Sequence, residues 1–309
     1  MKIGKSLFVE KTDTLSGHRD CIYALEKSAT ENFVFSAGGD GLVVRWDLAQ
    51  PELGHVVAQV AKSVYALCFV ESQNALLVGQ NMEGVHRINL GSQQQDCSVK
   101  LENAAIFDIK VFEKQEIVLA AMQSGSVFVL DFRTLKVLQV LKHSEKSARR
   151  IAISEKLQQM AVAYSDGCIR IFDLRTWQMI HAFEAHQHSV FALQYSPDGQ
   201  QLVSGGRDAH LKIWETREYM LQKDIAAHLF AINDLVFSPD AQYLATCSMD
   251  KSIKLWSATD FQLLKVIDKA RHAGHGTSIN KLLWTTFQNK LVSASDDRNL
   301  SVWRSNLWD

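Results

Sequence analysis

Short apolar segments recur along this chain at a fixed spacing, and each ends at a matched position: Trp46, Ile88, Leu130, Phe172, Trp214, Trp256 and Trp303. The first five intervals are all 42 residues and the last is 47. A period this constant means one supersecondary unit copied along a rod or around a ring. In the copy from Ala185 to Ile225, four stretches have strand character: VFALQYS, QLVSGG, LKIWE and MLQKDI. Turn residues separate them, among them Ser196-Pro197-Asp198-Gly199 and Arg207-Asp208. Each copy is predicted to be a four-stranded antiparallel sheet. A sheet that is apolar on both faces cannot stand alone in water, so neighbours must stack face to face, and radial closure leaves only short protected edges. The pattern predicts an all-β chain of seven such units in one domain over residues 1–309.

Polar residues repeat with the same regularity. Gly17-His18 precedes Trp46-Asp47, His186 precedes Trp214, His228 precedes Trp256, and Gly274-His275 precedes Trp303, with 28 residues from His to Trp each time. On these residues the chain resembles the WD-repeat β-propeller family over essentially its whole length. The resemblance implies a seven-bladed propeller and a buried polar tetrad in four blades. These are His18, Asp40, Ser36 and Trp46; His186, Asp208, Ser204 and Trp214; His228, Asp250, Thr246 and Trp256; and His275, Asp297, Ser293 and Trp303. Such groups are structural rather than a catalytic triad, because the hydroxyl is expected to be locked against the indole.

Three copies depart from the pattern. Their four positions become Val60, Met82, Val78 and Ile88 in the second, Glu102, Ser124, Ala120 and Leu130 in the third, and Ser144, Asp166, Val162 and Phe172 in the fourth. The polar groups are lost together, so these blades are expected to be held by apolar packing, with leftover polar residues facing water. Only six residues follow Trp303, too few for an outer strand, whereas LFVEKTDTL (Leu7 to Leu15) has the length and β character to supply one. The last blade is expected to be closed by an amino-terminal strand from about residue 5 to 15.

Composition narrows the function classes. Lys plus Arg (33) nearly balances Asp plus Glu (34), for a net charge of −1, so the chain lacks the overall footprint that selects nucleic acid or anionic membrane. The five cysteines are scattered and never in C-x-x-C spacing, and are read as small buried hydrophobes of a reducing compartment. MKIGKSLFVE returns to charge too soon for a signal-peptide core, and no apolar run nears a membrane span, which makes cytoplasmic the default. No nucleophile elbow, phosphate-cradling glycine loop or H-E-x-x-H motif is present, so no enzyme, cofactor or metal is expected. His272 with His275, or His186 with His188, would be the metal pairs, but His275 and His186 are committed to tetrads.

In this family the residue just after the first apolar residue of the innermost strand tends to line the central opening. Here these are Tyr23, Tyr65, Phe107, Arg149, Phe191, Asn233 and Asn280. Tyr and Phe with one Arg and two Asn offer rigid apolar anchors, hydrogen-bond groups and a carboxylate-pairing cation, which suits a peptide segment or inserted side chain of a protein partner. The same residues could instead simply fill a tapered core. Arg207 and Met249, just before the turn Asp of their copies, extend the contact surface, and the five extra residues of the last repeat, in DKARHAG, are placed on the same rim. The next position round the ring carries Asp108, Arg150, Asp234 and Lys281, read as cross-blade ion pairs. The expected function is a non-catalytic interaction scaffold. The alternatives are an architectural subunit docked through blade flanks and, less favoured, a small-molecule-binding or hydrolytic propeller. Oligomeric state is not encoded in any visible motif.

Overall fold

A computed structural model describes residues 8–52 and 54–306. Seven four-stranded antiparallel sheets are present, and six of them follow chain order from the innermost strand to the outermost. Blade one shows the plan, with strands Ile22–Lys27, Phe33–Gly38, Leu42–Asp47 and Gly54–Gln59. The seventh takes three strands from the chain's end, Ile279–Trp284, Leu291–Ser295 and Asn299–Ser305, and its fourth, Val9–Ser16, from the beginning. This strand pairs antiparallel from Val9 with Ser305 to Ser16 with Asn299. The ring is therefore closed by the amino-terminal strand as expected, although residues 5–7 of the predicted span lie outside the described residues.

The core is distributed between blades. Blade one's Ile22, Val44 and Trp46 bury themselves with Val292, Leu300 and Val302 of blade seven, and Leu15 of the closing strand completes the layer. Alternation along each inner strand sends successive side chains to opposite neighbours, which is why both faces of every sheet read as apolar.

All four expected tetrads form. The indole can only donate, so in blade one Trp46 Nε1 donates to Ser36 Oγ at 2.8 Å and the hydroxyl proton must go on to His18 Nε2, 2.7 Å away. The imidazole proton is thus left on Nδ1, facing Asp40 at 3.0 Å. Trp–hydroxyl distances in the other three blades are 2.9, 3.0 and 2.9 Å. Burial lowers the pKa of His228, keeping it neutral, while its Asp250 is held well below the usual carboxylate range despite burial, by the imidazole.

The three degenerate blades differ from expectation in two places. Glu102 does not simply face water: Ser126 donates to one carboxylate oxygen at 3.3 Å while the other is buried without a partner. Asp166 keeps a network of its own, accepting from Ser144 at 2.7 Å and from Arg170 at 2.9 Å, and Arg170 lies 4.5 Å from the Tyr164 ring centre. A guanidinium four residues after the turn aspartate takes over what the tetrad histidine does elsewhere. Of the cysteines, Cys68 and Cys247 are buried as expected, whereas Cys21, Cys97 and Cys168 are only partly so.

The candidate interaction mouth of the central channel

Each innermost strand carries a β-bulge at the same place. Pairing jumps between Ile22 and Ala24, Val64 and Ala66, Ile106 and Asp108, Ala148 and Arg150, Val190 and Ala192, Ile232 and Asp234, and Ile279 and Lys281. The residue left out of the ladder is Tyr23, Tyr65, Phe107, Arg149, Phe191, Asn233 or Asn280, the seven positions singled out in the sequence. A bulge re-aims the extra side chain away from the sheet's alternation. Here it sends all seven to one cavity of about 470 Å3, whose lining also includes Met249 and Asp296. Arg207 is exposed and stands outside that lining.

The bulged residues form a continuous belt. Tyr23 meets Tyr65 edge-on at 4.8 Å between ring centres, and Tyr65 lies parallel to Phe107 at 5.9 Å. The Arg149 guanidinium is sandwiched between two rings, 3.8 Å from the centre of Phe107 and 4.8 Å from that of Phe191. The two asparagines line the cavity and also bond across the blades. Asn233 donates to Ser278 Oγ at 3.0 Å and to the Ile279 carbonyl at 2.8 Å, and Asn280 donates to the Ile22 carbonyl at 3.0 Å and to Asp296 at 2.7 Å. Their amides strap blade six to seven and seven to one.

Below the belt lies a lattice of charges. Asp108 and Arg150 stand 3.7 Å apart and Asp234 and Lys281 3.5 Å, the two cross-blade pairs that adjacency around the ring implies. Arg150 also reaches over the channel to Asp234 at 3.0 Å, skipping a blade, and Lys110 approaches Asp108 at 3.9 Å. Each aspartate secures the next blade's backbone as well: Ile151 N–H donates to Asp108 at 2.8 Å and Leu282 N–H to Asp234 at 3.1 Å. Burial and the neighbouring Arg150 lower the Lys281 pKa to about 8. Tyr65, Arg150 and Lys281 line both the mouth and a second cavity of about 400 Å3 beneath it, into which Glu26 faces. The lattice thus stands at the junction of the two cavities and gives the mouth a charged base.

One side of the mouth has an apolar lip that the repeat pattern did not bring out. Leu229 and Phe230 are 83% and 62% exposed, and Met249 on the adjoining turn is 51% exposed. The two turns are tied, with Met249 N–H donating to the Ala231 carbonyl at 3.1 Å and Ser248 Oγ to that of Phe230 at 3.0 Å. The signal was two large apolar residues directly after the tetrad His228, where other blades carry Arg19-Asp20, Gln187-His188 or Gly276-Thr277.

The insertion in the last repeat does not reach this rim. Lys269–His272 form a short helix whose N-cap Asp268 accepts from Arg271 N–H at 2.9 Å. It contacts the closing strand at the periphery, and its residues are not among those lining the mouth. His275 and His186 are held in their tetrads, and among the described residues no cluster of three metal-ligating side chains occurs.

Comparison with known proteins agrees with this architecture. Residues 45–241, more than half the chain, match the model of the Nucleolar protein 10-like, N-terminal domain, described as a β-propeller. Residues 9–47 and 267–304 match the WD domain, G-beta repeat, and the first match runs from the closing strand into blade one. No curated protein matches the chain. The family description names a nucleolar protein and lends no support to the cytoplasmic default, while among the described residues no helix is long and apolar enough to cross a membrane. Propellers of this kind typically serve as protein-interaction scaffolds and are generally not enzymes. By repeat, closure and family match, this chain belongs to the WD-repeat β-propellers, with a Nucleolar protein 10-like, N-terminal domain across its middle.

Proposed function

We propose that this protein is a non-catalytic scaffold that captures a peptide or protein partner at the mouth of its channel, with the seven blades acting as one domain. The observation that carries the reading is the convergence of the bulged residues on one cavity beside an exposed apolar lip. Rigid aromatics present large contact area at small entropic cost, and a ring of them around one cavity suits an inserted side chain. The family description suggests a protein complex of the nucleolus as the setting. A net charge of −1 favours a protein over a nucleic-acid strand as the contacting component.

A second reading rests on the outer strands of blades three and four. Val137–Lys142 and Met179–Glu184 leave Val137, Leu138, Val140, Met179 and Ile180 exposed on the flank. Exposed apolar side chains clustered on outer edges are suited to permanent neighbours in an assembly.

Alanine at Tyr65, Phe107 and Phe191 together separates the two. Retention of a co-purifying partner is expected to fall by about tenfold or more, as removal of central aromatic anchors does, while Leu138→Asp leaves it unchanged. The reverse outcome, with both variants melting as the native protein does, assigns the partner to the flank.

A further inference from the structure

The mouth contains one cation that has no counter-ion among the described residues. Arg150, Lys281 and Lys110 below it all stand within 4 Å of Asp108 or Asp234. Arg149 has no carboxylate at ion-pair distance among the described residues, and it lines the cavity with its two faces covered by Phe107 and Phe191. A guanidinium clamped in this way keeps only its N–H edge open, and that edge presents parallel donors matched to a planar two-oxygen acceptor. Burial lowers its pKa to about 10, so holding the charge here is costly without a partner.

Building on the reading of the mouth as the docking site, we propose that the partner contributes an acidic side chain, Asp or Glu, bound edge-on by Arg149, next to an apolar residue seated on Leu229, Phe230 and Met249. The charge balance selects a carboxylate over a phosphate. Arg149 supplies a single unpaired positive charge, the cations of the floor are already paired, and Asp296, which lines the cavity from blade seven, would repel a second negative charge. The exposed lip supplies the apolar half of the motif, since an exposed Leu–Phe–Met cluster beside a polar cavity buries favourably only against an apolar side chain.

The test is selection of a displayed library of random linear peptides on the full chain, followed by anisotropy titration of one selected peptide. Acidic residues are expected to be enriched next to an apolar position. Changing the peptide's Glu to Gln weakens binding to the native protein by about tenfold and has no effect on Arg149→Gln, the two changes being coupled rather than additive. Arg149→Lys, which keeps the charge but loses the planar clamp, falls between, and Phe230→Ser weakens the apolar contact alone. Melting curves confirm that each variant is folded. Peptides that lose binding on Tyr65→Ala yet show no carboxylate requirement overturn this inference and leave the mouth reading standing. Preference for a phosphorylated peptide overturns the carboxylate assignment, and selected peptides indifferent to every rim variant overturn both readings.

Discussion

Deleting residues 1–16 is expected to abolish the single cooperative melting transition and to send the protein into soluble aggregates or the insoluble fraction. Among the described residues the closing strand is the only partner of Asn299–Ser305 on its outer side, and it carries Leu15, which is fully buried between blades seven and one. Loss of a buried leucine alone costs about 2–5 kcal/mol, and each ladder hydrogen bond adds about 0.5–1.5 kcal/mol. Against a total stability of about 5–15 kcal/mol, these losses consume most of what holds the ring. The deletion also uncovers a sheet edge with Trp303 behind it, which invites pairing between molecules. Circular dichroism melting with size-exclusion chromatography reads the outcome. A truncated protein that stays monomeric and melts within a few degrees of the native one contradicts closure by this strand. Leu15→Ala, which removes one side chain and keeps the ladder, should give an intermediate loss with cooperativity retained.

Asp234→Ala should produce the next largest effect, a loss of about 3–5 kcal/mol, the range for removing one member of a buried ion pair. Asp234 is 1% exposed and holds Arg150, Lys281 and the Leu282 N–H at once. Removing it strips Lys281 of its carboxylate, leaves Arg150 with Asp108 alone, and frees the Leu282 backbone donor, disturbing blades four and seven together. At roughly 2 °C per kcal/mol for a chain of this size, the melting temperature falls by about 6–10 °C. Asp234→Asn keeps one acceptor for Leu282 and should lose less than Asp234→Ala. Combining Asp234→Ala with Arg150→Met should cost less than the sum, because the two changes remove the same contact. A change of under about 1 kcal/mol for Asp234→Ala, the size typical of exposed pairs, would mean that channel water already solvates the lattice.

The rim was legible in the sequence because a bulge, once repeated, becomes a phase marker. The residue after the first apolar residue of each inner strand sits at the same 42-residue step as the tetrad, so spacing picked out Tyr23, Tyr65, Phe107, Arg149 and Phe191 as equivalent, and the family resemblance implied that they face the opening. Spacing conveys position and not orientation, and so it did not show that the asparagine amides turn sideways to the next blade. The same limit applies to Arg150. Adjacent repeats show that Asp108 is its neighbour, but the reach over the channel to Asp234 depends on ring curvature, which no local pattern expresses. Leu229 and Phe230 lay within the reach of sequence reasoning, since two large apolar residues in a turn that is polar elsewhere break the repeat's own rule. The insertion failed differently. Its loop was identified correctly, but a capped helical turn folded it outward against the closing strand and away from the opening.

The claim that the mouth is where a partner docks is tested most directly by a photocrosslinking amino acid placed either at position 230, on the lip, or at position 138, on the outer strand of blade three. Irradiation of cells carrying each version should give a discrete protein adduct from position 230, lost when Tyr65 is changed to Ala, and none from position 138. Adducts from position 138 with none from position 230 would contradict the account and assign the contact to the flank.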